Sequence, residues 1–147
     1  MKKLILTFLF TTLIFSSPSY ADWTKAGTNI NGSTYYVDFD RIRKQGGYVY
    51  WWELSDYLKP ISGVLSGKLY KQGDCKVFRF KILSDSYYKE PMINGTPFES
   101  SNTPDKEWTN PPPDSIGETV LKKVCNYWVS YLKKSFKINN LCFTPTQ

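Results

Sequence analysis

The stretch Tyr48-Val49-Tyr50-Trp51-Trp52-Glu53-Leu54-Ser55-Asp56-Tyr57 constrains the fold more than any other part of the chain. It is dense in aromatic residues and free of glycine and proline, so it reads as one long β-strand, and a strand satisfies its backbone groups only inside a sheet. Alternation places Tyr48, Tyr50, Trp52 and Leu54 on one face and Val49, Trp51, Glu53 and Ser55 on the other. The first face is wholly apolar and is expected to line the core. The rest of the chain must then supply strand partners and a cover.

Partners are legible on both sides. The segment from Asp22 to Thr28 is rich in strand formers, and Asn31-Gly32 marks a turn before Ser33-Thr34-Tyr35-Tyr36-Val37, which predicts a first hairpin. Asp38 is placed to cap a single helical turn through Arg43 that ends at Gly46-Gly47. After a loop at Pro60 and Gly63, Leu65 to Leu83 holds further extended segments, broken at Gly73-Asp74. In the second of these, Phe78, Phe80 and Ile82 alternate with Val77, Arg79 and Lys81. Six prolines fall between Pro91 and Pro113, so that region is an edge strand or long loop around Trp108. Beyond it Asp114 or Ser115 is the N-cap candidate, with Glu118 placed to complete a capping box. Ile116, Val120, Val124, Tyr127 and Tyr131 then recur at helical spacing, as do Leu121, Trp128, Leu132 and Phe136. The expected fold class is α+β: an antiparallel sheet with a C-terminal helix packed on one face.

The N-terminus reads as an address. Lys2 and Lys3 precede an apolar run from Leu4 to Phe15 and a small-residue stretch ending Ser19-Tyr20-Ala21, the pattern of a secretory signal peptide cleaved before Asp22. About twelve apolar residues span about 18 Å as a helix, against a hydrocarbon core of about 30 Å, so an anchor is disfavoured. The expected domains are residues 1–21 as signal peptide, 22–126 as the folded body and 127–147 as a basic extension. An exported location, periplasmic or at the surface of a bacterium, follows. There Cys75, Cys125 and Cys142 allow three single-bridge pairings. A bridge from strand-like Cys75 to helix-borne Cys125 is favoured, leaving Cys142 free or paired between chains.

Charge and composition exclude more than they assign. The net charge of +6 divides unevenly: residues 1–21 carry +2, residues 22–118 carry −1, and residues 119–147 carry five lysines and no acid. A near-neutral body gives no footprint for nucleic acid. The chain has no histidine, which removes Ser-His-Asp and Cys-His nucleophiles and every His-ligated metal site. Glu53 with Asp56, or Asp38 with Asp40, are the carboxylate pairs on offer. The first comes from opposite faces of a strand and the second flanks a turn, so neither fixes an acid/base separation. No cofactor, metal set or catalytic residue is predicted.

Taken in order, Trp23, Tyr35-Tyr36-Val37-Asp38, Ile42-Arg43, Trp52-Glu53-Leu54-Ser55-Asp56-Tyr57, Asp74-Cys75 and Arg79 make one series of landmarks. Ser84, Tyr87-Tyr88, Met92, Gly95, Trp108, Pro113 with Ser115, and Val124-Cys125 complete it. The series resembles the surface-adhesin protein E family of small exported bacterial proteins over about residues 22–126. The resemblance implies about six antiparallel strands with a C-terminal helix on the sheet. It also implies non-enzymatic binding, since the family's namesake engages host extracellular-matrix proteins such as vitronectin and laminin and has haem binding attributed to it. The chain departs from the namesake in lacking a lipidation cysteine near the cleavage site and in carrying the tail 127–147.

Two regions are candidate contact sites. Trp51, whose face also carries Glu53, is one, because aromatic residues dominate interface hot spots. The other is the basic tail, where Trp128, Lys133 and Lys134 form part of an amphipathic helix suited to an acidic partner or a weak contact with anionic membrane. A tyrosine ligand to haem would need one exposed tyrosine in an apolar pocket, and the pattern singles none out. The partner expected is therefore a protein, of the matrix or the envelope. Deleting residues 127–147 is expected to abolish sedimentation with anionic vesicles while leaving the body folded; unchanged sedimentation removes the membrane reading.

Overall fold

The computed structural model describes residues 21–141, without the side chains of Trp128 and residues 131–141. Seven strands form one antiparallel sheet: β1 (Trp23–Thr28), β2 (Thr34–Asp38), β3 (Arg43–Gln45), β4 (Tyr48–Ile61), β5 (Val64–Asp74), β6 (Arg79–Tyr88) and β7 (Glu99–Ser101). The order across the sheet is β1-β2-β4-β5-β6-β7, with β3 pairing beside β2 on the same flank of β4. The helix α1 (Ile116–Leu141) follows. The expected hairpin, capped turn and long strand are all present.

Local chemistry accounts for the joints. The β1–β2 turn closes through Asn29, whose Oδ1 accepts from the backbone N–H groups of Asn31 and Ser33 at 3.0 Å each, while Gly32 takes a φ of +83°. Asp38 Oδ1 accepts from Arg41 N at 3.3 Å and starts a 3₁₀ turn over Phe39–Arg41. At the head of α1 Ser115 Oγ accepts from Glu118 N at 3.1 Å, the expected cap. The reciprocal half is shifted by one residue, since the Glu118 carboxylate accepts from Asp114 N at 2.9 Å. Hydrogen bonds first from Lys122 and then from Asp114 hold the Glu118 carboxyl below its usual range.

The core lies between α1 and the face of β4 that carries Val49 and Trp51, which corrects the expected assignment of faces. Val49 and Trp51 pack with Val37, Val120, Leu121 and Val124, all almost wholly enclosed. Tyr48, Tyr50 and Trp52 stand on the opposite face and are only half-buried. Trp51 is 1% exposed, so the residue expected to meet a partner is instead the centre of the core. Glu53 misled the reading of that face. Its carboxylate is buried because it accepts from Lys71 Nζ at 2.7 Å and from Trp51 Nε1 at 3.3 Å. Removing one member of such a pair strands a buried charge and costs about 3–5 kcal/mol.

Helix and sheet are joined in two ways. Cys75, in the turn between β5 and β6, is bonded to Cys125 of α1 across a sequence separation of 50. In the chain-entropy model a loop of that length stabilises by about 4 kcal/mol. The second joint is steric. At Gly73 a Cβ would lie 2.8 Å from Trp51 Cζ3 and 3.1 Å from Leu121 Cδ1, so the indole and the helix close over bare backbone. Gly73→Ala is expected to lower unfolding free energy in urea by about 1–3 kcal/mol, the cost of overpacking. An unchanged midpoint would show that the indole has room to move.

Candidate functional site

Apart from a single 3₁₀ turn over Pro91–Ile93 at one end, no helix or strand among the described residues lies over the outward face of the central strands. Its floor is set by the ladder register. Tyr50 pairs with Gln72, Trp52 with Tyr70 and Leu54 with Lys68 across β4 and β5, and Tyr70 pairs with Ser84 and Lys68 with Ser86 across β5 and β6. All of these side chains share one face because strand positions alternate. One end is closed by the loop after β6. There Asp56 Oδ1 accepts from Met92 N at 2.7 Å and Ser66 Oγ accepts from Ile93 N at 2.9 Å. Beside these contacts Leu54 is fully enclosed.

The open part is a connected set of rings. Trp52 and Tyr70 have centroids 4.7 Å apart, Tyr50 and Tyr70 6.3 Å, and Tyr48 and Trp108 5.5 Å. Trp108 arrives from the proline-rich segment, which is held along β6 by paired backbone bonds between Phe80 and Thr109 at 3.0 and 2.7 Å. Cations sit on the rings. Lys68 Nζ is 4.6 Å from the Trp52 centroid, and Arg79 and Lys81 lie 4.7 and 5.2 Å from that of Trp108. Gln72 Nε2 donates to the Tyr50 hydroxyl at 3.0 Å. Between β3 and these strands runs an open groove of about 460 Å³, bordered by Arg43, Gln45, Tyr48, Tyr50 and Tyr70.

Two other features offer less. A cavity of about 540 Å³ opens beside Phe39, Ile42, Arg43, Lys44 and Tyr127, where the 3₁₀ turn meets α1, and it holds one ring pair, Phe39 with Tyr127 at 4.9 Å, against the longer row of rings on the open face. On the core side of the sheet, beyond Glu53, stand Tyr35, Tyr57 and Tyr87. Burial is the main cause raising all three hydroxyls above 10.0, with the neighbouring phenols and acids adding to it at Tyr35 and Tyr87. No group of three or more His, Cys, Asp or Glu among the described residues could hold a metal ion.

The face assignment therefore moves the candidate residues. Tyr48, Tyr50 and Trp52 were expected in the core and line the open surface, joined by Tyr70, Trp108, Lys68 and Lys81. A signal for this was present: the ring-bearing residues of that face are mostly tyrosines, which suit a half-wet surface, and the facing strand supplies Lys68 and Gln72. Trp51 does not reach the surface. Trp128, Lys133 and Lys134 fall on α1, and their side chains lie outside the described residues, as do Cys142 and residues 1–20 of the expected signal peptide.

The family model for surface-adhesin protein E matches residues 23–126. The chain belongs to the surface-adhesin protein E family. As a member of that family it shares its fold with solved structures of Haemophilus influenzae protein E. Crystal form II of that protein is 18% identical, with 74% of this chain and 91% of that chain covered and a TM-score of 0.55. The selenomethionine form is 17% identical, with 73% and 88% covered and a TM-score of 0.51. No curated protein matches this family member at a significant level. Its α1 continues to Leu141, past the last residue the family model covers, and no helix among the described residues is long and apolar enough to cross a membrane.

The tyrosine hydroxyls give a sign for the alkaline limit of the fold. Because Tyr35, Tyr57 and Tyr87 ionise above 10.0 when folded, the unfolded chain loses those protons first as pH rises. Their stabilisation is complete below pH 10 and is lost as pH climbs through the folded values. The urea midpoint is expected to fall as pH rises above 10, less steeply in Tyr57→Phe. Identical slopes in the two proteins would exclude Tyr57 as a contributor.

Proposed function

We infer that this chain is an exported, non-enzymatic binding protein of the surface-adhesin type. Its partner is a protein, such as a component of the host extracellular matrix, and the contact is made by the open face of the sheet. The observation that carries the reading is the row of half-buried rings Tyr48, Tyr50, Trp52 and Tyr70 on a face with no layer above it among the described residues. Rigid aromatic side chains give large contact area at low entropic cost and dominate the energetics of protein interfaces. Membership of the adhesin family supports the same conclusion. In this reading the basic continuation with Trp128, Lys133 and Lys134 is an accessory contact.

The test is binding of the full exported chain to immobilised matrix proteins, paired with protease accessibility on intact cells. Tyr50→Ala with Tyr70→Ala is expected to lower affinity at least about tenfold while leaving the urea midpoint near that of the parent. A protein shielded from external protease and retained in the periplasm would overturn the adhesin role, in favour of an envelope-associated module.

A further inference from the structure

The groove on the open face is unlike the core of a protein interface in one respect: it is lined by rings without aliphatic side chains. Large apolar residues left exposed elsewhere, among them Ile30, Leu58, Ile61, Val77 and Met92, do not border the groove. The outward positions around it alternate rings with Lys68, Lys81, Arg43, glutamines and serines. Along these central strands the acid Asp74 is met by Arg79 at 3.6 Å, and Asp56 is engaged by the Met92 N–H at the closed end. The face is thus cationic although the body of the chain is close to neutral.

We propose that the groove binds an acidic polysaccharide chain, one bearing sulfate and uronate groups. The assignment rests on the adhesin reading, in which the partner is a matrix protein, and places in the groove itself an acidic glycan chain borne by such a partner. The Tyr48, Tyr50 and Tyr70 rings receive the C–H faces of sugar rings, while Gln45, Gln72 and the phenol hydroxyls offer partners to sugar hydroxyls. Arg43, Lys68 and Lys81 supply the charge complement, Arg by paired hydrogen bonds and Lys as a point charge. The groove is open along its length, which admits a chain rather than enclosing a small molecule. Single-stranded nucleic acid uses stacking and cations too. Here, however, Lys68 already stands over the Trp52 indole and Arg79 and Lys81 over that of Trp108, so a base would have to displace a cation to stack there.

The experiment is a titration of the full exported chain with a sulfated uronic-acid hexasaccharide, read by tryptophan fluorescence and by calorimetry. A desulfated neutral oligosaccharide and a single-stranded oligonucleotide of equal charge run beside it. Saturable binding is expected, weakening about tenfold or more between low salt and about 0.5 M salt. Lys68→Gln with Lys81→Gln is expected to weaken it about tenfold, and Tyr50→Ala similarly, with urea midpoints close to the parent's. Equal binding of the neutral sugar, or unchanged affinity in the lysine pair variant, overturns the assignment. So does binding of the oligonucleotide in place of the sulfated chain. A chain that holds matrix protein and ignores the sulfated sugar overturns this assignment and leaves the adhesin reading standing; failure of both ligands overturns both.

Discussion

Everything in this fold is arranged around the Trp51 indole lying in a notch that only a glycine provides. Gly73 on the neighbouring strand brings bare backbone to the ring, and Leu121 of α1 closes the other side. The indole N–H is not left orphaned, because it is aimed at Glu53, and Glu53 is neutralised by Lys71. A fully enclosed indole therefore brings its own polar network with it, consistent with the rule that buried polar groups survive only when partnered. The position of α1 on the sheet follows from this contact, and the Cys75–Cys125 bond fixes it covalently at the β5–β6 turn.

Most of the architecture could be read from local signals. Alternation marked β4, Asn31-Gly32 marked the first turn, Asp38 and Ser115 marked two caps, and the proline cluster marked the segment that runs beside β6 as an edge. These features depend on residues near one another in the chain. Which face of β4 turns inward does not. It is decided by Gly73 and Lys71 on another strand and by Leu121 on a helix, and a count of apolar residues per face chose wrongly because Glu53 counted against the true core. The composition of the open face follows from the same step, since Tyr48, Tyr50 and Trp52 are the rings left outside the core.

The surface also shows how a neutral body can present a charged face. Seen as a total, residues 22–118 offer no electrostatic preference. The sheet sorts that charge. Glu53 and Lys71 are taken into the core as a pair and Asp74 is met by Arg79, while Lys68 and Lys81 remain outward over the indoles. Cation–π contact keeps those side chains near the rings and holds them ready for a partner, so less freedom is lost when one docks. The rings and cations are held on regular strands instead of loops, which fixes their spacing.

The alternation of β4 has a consequence for how such a protein changes over time. Odd-numbered positions from Val49 to Ser55 answer to the core, whereas Tyr48, Tyr50 and Trp52 answer to the outside. Substitution at Tyr48, Tyr50 and Trp52 can therefore remodel the outward surface with little effect on the core. A scaffold built in this way separates the selection for persistence from the selection for contact, and a lineage that carries it can vary its outward face one residue at a time.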